Sequence, residues 1–346
     1  MLKVNRTPVR TSRNFKINNI KLEDVNIPEK VWSFKPATIT SSNLVENNVA
    51  VSGLTYGLGD SLLKNVMQCA NHKAKITVDK QDKDIKMIYH FDDENTNLIN
   101  YIEIDAKENA NVIVEYKSNT EKECFVNSII KIVACQQVMI NVFVINLLNE
   151  SSNFFLAMEN SLEENSNLQY TVIDLGAKNS IQNYYANMTG ESANNDLQAI
   201  YLGRKNQLKD INYIAELRGQ KTNVNIDVQG ALKDNAKKNF KGTIDFKKGC
   251  KKAKGDENEY CMLLSDRAKS IALPMLLCTE DDVEGNHSTA SGKLNEKEIF
   301  YIMSRGINKQ EATKLIIKAR FQKILERICD EEVRNELMEE IDRRLD

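Results

Sequence analysis

The sequence predicts a mainly β protein, with a β-solenoid core followed by a C-terminal α-helical region. From about residue 75 to residue 270, apolar residues recur at every second position, as they do in strands with one buried face. Between residues 170 and 242, glycine and tyrosine recur at similar intervals without a helical pattern, which is typical of stacked repeats. After residue 295 the apolar period becomes that of a helix. A large antiparallel sandwich is the alternative fold for the β region.

The N-terminal region, residues 1–74, is predicted to be irregular or mixed in structure. Three of the four prolines, Pro8, Pro28 and Pro36, lie near its start, and proline disfavours regular strand pairing. The single tryptophan, Trp32, is also in this arm. We expect its large apolar ring to pin the arm onto the body of the protein.

The β-solenoid core is predicted over residues 75–292. Asparagine, glycine, lysine and aspartate separate the apolar runs, and these residues are common in turns. Asparagine also tolerates left-handed backbone and can form hydrogen bonds between stacked turns, which favours the solenoid over the sandwich. The candidate strands are 76–78, 85–89, 112–116, 168–172, 197–201, 211–215 and 224–228.

The C-terminal region, residues 293–346, is predicted to form three helices. Asn295 and the glutamate three residues later have the spacing of a capping box, and Gly306 is placed to end that helix. Asn308 begins a second, amphipathic helix, and a third follows Asp330. We expect the apolar stripes to cover the open end of the solenoid, with docking of a partner protein as the second interpretation.

Composition and motifs argue against several classes of function. The formal net charge is −2, and the lysine-rich run 247–254 lacks interleaved aromatic residues, so no nucleic-acid partner is expected. No apolar run is long enough to cross a bilayer, and the N-terminus lacks the apolar stretch of a secretory signal. We therefore expect a cytoplasmic protein without a membrane partner. The sequence contains no P-loop, GxSxG or HExxH motif.

The seven cysteines do not form a recognisable ligand set. Their number is odd, their spacing is scattered and no CxxC pair occurs, which argues against a disulfide framework and a self-contained zinc or iron–sulfur site. Most lie beside large apolar residues, where free cysteine behaves as a small hydrophobic residue. We expect six of the seven to be core residues of this kind.

His287 is the most informative of the three histidines. It lies in a run of acidic, small and polar residues, 281–292, directly before the first helix of the C-terminal region. Neutral imidazole is a good ligand for iron and similar metals. A histidine in such a turn is also often an ordinary hydrogen-bonded loop residue, and residue type alone favours that interpretation.

Residues 230–328 resemble the SufB/SufD family, the scaffold proteins of the SUF iron–sulfur cluster assembly machinery. The segment from Phe300 to Ile307, with the pattern FYxxSRGI after H-x-T and a helix start, is the most specific part. The N-terminal third of the chain matches poorly. The matching segments are 230–234, 240–244, 263–266, Pro274, 281–283, His287 with Thr289 and Gly292, and 299–307.

The resemblance implies a right-handed parallel β-helix core and a non-catalytic role. Proteins of this family work with an ABC-type ATPase, SufC, which docks on the C-terminal helices. Two scaffold subunits, usually one SufB-like and one SufD-like, pair through their β-helices, and a transient iron–sulfur cluster forms at their interface. The resemblance also implies an indirect link to a cysteine desulfurase system, and it leaves flavin binding open.

For this chain the resemblance implies a SufD-like subunit in which His287 is a ligand of the nascent cluster. The cysteine ligand of SufB-like subunits matches Glu259 here, and Cys261, two residues away on the same face of a strand, is a weaker candidate. The thiolate is therefore expected from the other subunit. The residues expected to dock the ATPase are Ile299, Phe300, Tyr301, Met303, Arg305 and Gly306.

Two other functions remain as alternatives. The first is a homodimeric scaffold in which Cys261 and His287 together hold the cluster. The second is a cytosolic β-solenoid enzyme acting on carbohydrate, which would need a groove lined by carboxylates along the coil.

Overall fold

The main feature of the protein is a parallel β-solenoid of about eight turns, seen in a computed structural model that describes residues 1–10, 17–35, 38–41, 43–80 and 83–346. Short elements precede the solenoid. They are β1 (Leu2–Val4), β2 (Ile20–Leu22), β3 (Thr38–Thr40), β4 (Leu44–Glu46) and helix α1 (Asp60–Cys69).

Each turn of the solenoid contributes one strand to each of two facing sheets. The odd sheet contains β5 (His72–Val78), β7 (Asn97–Ala106), β9 (Phe125–Ala134), β11 (Asn153–Leu162), β13 (Asn179–Met188), β15 (Leu208–Leu217), β17 (Lys237–Phe246) and β19 (Lys269–Cys278). The even sheet contains β6 (Asp84–Phe91), β8 (Ala110–Ser118), β10 (Met139–Leu147), β12 (Asn167–Asp174), β14 (Asn194–Gly203), β16 (Asn223–Leu232), β18 (Ala253–Leu263) and β20 (Val283–Lys293).

Neighbouring solenoid strands are parallel and are separated by one full turn of chain. Asn153 pairs with Asn179, 26 residues further on, and Lys237 pairs with Lys269, 32 residues further on. The stacked asparagines also bond to each other, since Asn179 Nδ2 donates to Asn153 Oδ1 at 2.7 Å. Parallel pairing in both sheets confirms the predicted solenoid and rules out the antiparallel sandwich.

The space between the two sheets is a continuous apolar core. Tyrosine rings fill it from turn to turn, and the rings of Tyr89 and Tyr116 stack with centroids 5.3 Å apart. Each large apolar side chain buried in this way contributes roughly 1.5–3 kcal/mol. Several of the tyrosines that recur in the sequence therefore lie in this core. They are Tyr89, Tyr116, Tyr170, Tyr184, Tyr201 and Tyr213.

The C-terminal region contains three helices, of which the last two cover the outer face of the even sheet. They are α2 (Glu296–Met303), α3 (Lys309–Leu325) and α4 (Glu331–Leu345). Ile145, Ile173 and Ile200 are register partners on β10, β12 and β14 and form an apolar row, against which Phe321 and Ile341 pack. The helices therefore lie along the side of the solenoid and not across its open end, which corrects the expectation from sequence. An amphipathic stripe specifies that a helix packs, not which surface it packs on.

The N-terminal region covers the outer face of the odd sheet. Leu62 and Val66 of α1 pack in a cluster with Phe125 and Phe155 on β9 and β11. Trp32 does not pin this region, because it is 91% exposed. The expectation for Trp32 was therefore wrong.

Phe34, two residues after Trp32, anchors the N-terminal region instead. It is buried in the core between the two sheets, at the first turn of the solenoid. Its ring centroid lies 6.1 Å from that of Tyr89 and 5.0 Å from that of Phe91. Phe34 has no hydroxyl or indole N–H that would need a hydrogen-bond partner, so it can enter the apolar interior freely.

The predicted helix caps are present. Asn295 Oδ1 accepts a hydrogen bond from Lys297 N at 3.0 Å, and Asn308 Oδ1 accepts one from Glu311 N at 2.9 Å. Gly306, after α2, has a φ of 88°. In the described ranges, none of the helices combines the length and hydrophobicity needed to span a membrane.

Candidate functional site

The candidate site lies at the last turn of the solenoid, where β20 carries His287. Val283 packs against the interior core, and a methyl group at Gly285 would lie 3.0 Å from the buried ring of Phe246. Alternate residues of a strand share one face, so His287 also points toward the space between the two sheets. His287 is exposed, because β20 is the outermost strand of the even sheet. We call this polar opening, lined by His287 and by Glu257 and Glu259 on β18, the mouth of the solenoid.

The three histidines occupy different environments. His72 is buried, with Nδ1 3.0 Å from the hydroxyl of Tyr89 and Nε2 3.2 Å from Glu46 Oε1, and burial lowers the pKa of His72. His90 is exposed on β6 at the first turn. His287 is the histidine that is exposed at the open end of the solenoid.

A buried ion pair lies one strand inside the mouth. Oε1 of Glu259 accepts hydrogen bonds from Lys238 Nζ and from the Tyr201 hydroxyl, each at 2.8 Å. The side chains of Lys238 and Glu259 are 0% and 1% exposed. Burying two charges is costly unless they are paired and hydrogen-bonded, so these contacts fix Glu259 in place. At the position expected for a cysteine ligand, one carboxylate oxygen is therefore already paired, whereas Oε2 of Glu259 has no hydrogen-bond partner within the described residues.

Two glycines of the family-like segments make room for this cluster. A methyl group at Gly230 would lie 1.9 Å from Cζ of Tyr201, whose ring crosses this glycine to reach Glu259. A methyl group at Gly242 would lie 2.1 Å from Oε1 of Glu257. Both positions therefore require glycine for space between the two sheets.

Glu257 is the least satisfied polar side chain of the mouth. It is the register partner of His287 and is fully buried. Within the described residues neither of its carboxyl oxygens has a hydrogen-bond partner. Burial, with a smaller contribution from the charge of Glu259, raises the pKa of Glu257 to about 8. In this chain alone the carboxyl group is therefore mostly protonated at neutral pH.

Cys261 is on the same inner face as Glu257 and Glu259 but is not brought to His287. Its register partner is Ser291, four residues beyond His287, which is about 13 Å along a strand. Cys261 is buried, and burial raises the pKa of its thiol. A thiol in this setting is a poor source of thiolate.

The expectation that six of the seven cysteines are core residues is confirmed for three of them and is wrong for at least one of the two exposed ones. Cys124, Cys250 and Cys261 are buried, whereas Cys69 and Cys135 are half-buried. The remaining two, Cys278 and Cys329, are exposed, because neighbouring apolar residues in sequence need not share a face of the fold.

The described residues contain no group of three or more His, Cys, Asp or Glu side chains placed to hold a metal ion. The mouth therefore does not contain a complete set of protein ligands within this one chain. Any metal or cluster held there would need ligands from outside the chain or from its own coordinated sulfide or water.

Helix α2 presents the residues expected to dock an ATPase. Phe300 and Tyr301 are 73% and 61% exposed, and Met303 is also exposed. Arg305 lies over the Tyr301 ring at 5.1 Å, and Ile299 is buried against the rest of the protein. Large apolar side chains concentrated on one short helix are unusual on a free surface.

A cavity of about 890 Å³ lies beside the C-terminal end of α4. It is lined by two carboxylates, Glu121 and Glu150, and by several cationic side chains. Arg204 and Lys205 both pair with Glu150. Glu150 is therefore already paired with two cations in this cavity, which leaves Glu121 as its other carboxylate.

Sequence reasoning missed Glu257, Lys238 and Tyr201 as parts of the site. One signal could have found Glu257: positions 257, 259 and 261 alternate on one face of β18, so two acidic residues had to be buried together. No local pattern identifies Lys238, which meets Glu259 from the opposite sheet.

The fold and the mouth define a β-solenoid protein with an imidazole and buried carboxyl groups at an uncovered end. Comparison with known families identifies its relatives. The family model "SUF system FeS cluster assembly, SufBD core domain" matches residues 69–320, which is most of the chain. The chain belongs to this family.

Curated relatives agree with this assignment. The chain is 23% identical over 265 residues to "Iron-sulfur cluster assembly protein SufD" of Bacillus subtilis, covering 75% of this chain and 61% of that protein. It is 32% identical over 161 residues to a SufBD family protein of Pyrococcus horikoshii, covering 46% of this chain and 35% of the relative. A SufBD family protein of Staphylococcus saprophyticus is 26% identical over 154 residues. The chain thus spans less than two thirds of the length of these relatives.

Proposed function

We propose that this protein is a non-catalytic scaffold subunit for iron–sulfur cluster assembly that pairs with a second scaffold subunit through the last turn of its solenoid. The single observation that carries the proposal is the exposed His287 at the uncovered end, in a chain of the SufBD family. The nascent cluster is the cargo of this surface. It must leave after assembly, and incomplete ligation by one chain favours release.

The geometry of the mouth favours a SufD-like role. Glu259, at the position expected for the cysteine of a SufB-like subunit, is held by Lys238 and Tyr201. Cys261 is buried and lies about 13 Å along the strand from the level of His287. These contacts support a division of labour in which this chain supplies imidazole and a SufB-like paralogue supplies thiolate.

The exposed apolar side chains of α2 support docking of an ABC-type ATPase, SufC, on the C-terminal region. The helix is capped by Asn295 and anchored through buried Ile299, so Phe300 and Tyr301 are presented on a fixed element. Binding there would cover apolar surface that is otherwise in contact with water.

The cluster proposal is tested by coexpression of the chain with a SufB-like paralogue and SufC, followed by anaerobic purification and measurement of iron and sulfide. His287→Ala should lower the cluster content at least tenfold, whereas His90→Ala, an exposed histidine at the other end of the same sheet, should leave it unchanged. Equal cluster content in the His287→Ala complex would refute the proposal. A stable cluster on this chain alone, lost in Cys261→Ser, would favour the homodimeric scaffold.

The docking proposal is tested by copurification with SufC. Phe300→Asp should abolish copurification, because it places a charge in the apolar contact. Lys297→Asp introduces the same charge at another exposed position of α2 and should leave copurification intact. If both variants copurify like the wild type, the ATPase docks elsewhere.

A further inference from the structure

We propose that Glu257 and His287 form a two-residue site that holds a divalent metal ion in the mouth of the solenoid. The inference rests on the proposed function only for the identity of the metal, which would be iron(II). The register pairing of the two residues follows from the structure.

The register of the last two strands of the even sheet places the two residues side by side. Glu257 on β18 is paired directly with His287 on β20. Paired residues in adjacent parallel strands lie about 4.8 Å apart and project from the same face. An imidazole nitrogen and a carboxylate oxygen at this spacing can both reach one ion at about 2.0–2.2 Å.

The unpartnered carboxyl group of Glu257 points to a missing ligand. Both oxygens are buried without a hydrogen-bond partner in the described part of the chain, and a buried polar group without a partner is destabilising. The nearest cation of the cluster, Lys238, is already bonded to Glu259. A metal ion that replaces the proton of Glu257 would satisfy this group.

In the odd sheet, the two paired residues that face Glu257 carry no side-chain hydrogen-bond donor. The carboxyl group lies against Gly242 on β17, and the register partner of Gly242 on β19 is Pro274. Glycine has no side chain, and proline has neither a polar side chain nor a backbone N–H. On the other side, the strand next to Glu257 is β20, where its register partner His287 is exposed.

The chemistry of the pair suits iron(II) and related ions. Imidazole and carboxylate together are common ligands of divalent iron, manganese, cobalt and zinc. Two protein ligands leave several coordination positions open for sulfide, water or groups from a partner subunit. The site would therefore hold iron where the proposed cluster is built.

The test uses the purified full-length chain without oxygen and titrates it with cobalt(II), then with iron(II), by calorimetry and by the visible absorption of bound cobalt. The wild type should bind one equivalent. Glu257→Gln and His287→Ala should each weaken binding at least tenfold. Asp256→Asn is the matched control, because Asp256 is on the same strand but faces outward, where its Oδ1 accepts from Asn286 Nδ2 at 2.9 Å.

Two outcomes would overturn the site: wild-type protein that shows no saturable binding, or Glu257→Gln that binds like the wild type. Far-UV circular dichroism checks that each variant is folded, and Glu257→Gln should fold because its amide is neutral. If Glu257→Gln binds cobalt normally while the assembled complex still depends on His287 for its cluster, the two-residue site is wrong and the scaffold function stands.

Discussion

The two ends of the solenoid are finished in different ways. At the first turn, β3 and β4 pair antiparallel with β6 and β5, so both sheet edges are occupied, and Phe34 fills the interior. At the last turn, β19 and β20 are the outermost strands, and no strand in the described ranges pairs with their outer edges. His287 is exposed there between the sheets.

This difference favours the last turn over the first as the end proposed for assembly. A free strand edge is a template for pairing, and proteins usually protect it with a bulge, a covering segment or inward charge. The chain protects the first edge with its own residues and leaves a ten-residue edge on β19 and an eleven-residue edge on β20. Polar ladders keep the outer face of β20 hydrated, for example through Ser288, whose hydroxyl donates to Asn258 Oδ1.

The largest expected change in stability is at the first turn of the solenoid, where the sheet edges are occupied. Phe34→Ala should lower the free energy of unfolding by about 3–5 kcal/mol, because it empties an interior position that no other residue can fill. Ile271→Ala on β19, where the side chain is 39% exposed, should cost less than about 1 kcal/mol. Urea unfolding followed by far-UV circular dichroism measures both. Similar losses of unfolding free energy at the two positions would contradict the proposed difference between the two ends of the solenoid.

A pH-dependent change in stability is expected on the covered side of the early turns. Burial, and secondarily the charge of Glu336 on α4, raises the pKa of Glu115 on β8 from 4.5 to about 7. The unfolded chain loses this proton first, so stability falls as pH rises from about 4.5 to about 7 and the loss is constant above that range.

Glu115→Gln removes this pH-dependent loss of stability, because glutamine does not ionise. The variant should match the wild type near pH 4 and exceed its unfolding free energy by up to about 3 kcal/mol at pH 8. Thermal or urea unfolding at several pH values tests this, with Glu94→Gln, at an exposed position, as the control. A stability difference that does not change with pH would contradict the raised pKa of the buried Glu115 carboxyl group under α4.

A smaller change in stability is expected from substitutions at two glycines of the even sheet. Gly230→Ala should cost about 1–3 kcal/mol, because the new methyl group overlaps the Tyr201 ring and must displace it from Glu259. Gly292→Ala on β20 should cost less than about 0.5 kcal/mol, since nothing lies within 4 Å of the added carbon. Chemical unfolding of the pair checks this, and equal stability of the two variants would show that Tyr201 is not fixed over Gly230.

Period-two alternation and turn residues were sufficient to predict the solenoid and several of its strands. The predicted strand 85–89 lies within β6, and the caps at Asn295 and Asn308 are formed as expected. These features depend on contacts between residues near in sequence or on a repeated pattern. They can therefore be recognised without knowing the tertiary structure.

The candidate site was only partly accessible from the sequence. His287 was identified, but its polar run was interpreted as a turn, whereas pairing with β18 makes it the strand β20. Lys238 and Glu259 are 21 residues apart and meet across the interior from opposite sheets. Such a contact depends on how turns stack, which local patterns do not specify.

The central claim is that the last turn of the solenoid is a subunit interface. Hydrogen–deuterium exchange of the chain, alone and in complex with a SufB-like paralogue, tests it most directly. Amides of β20, residues 283–293, should become strongly protected on assembly, while exchange in β3 and β6 at the other end stays unchanged. Unchanged exchange in β20 together with protection at the first turn would contradict the account.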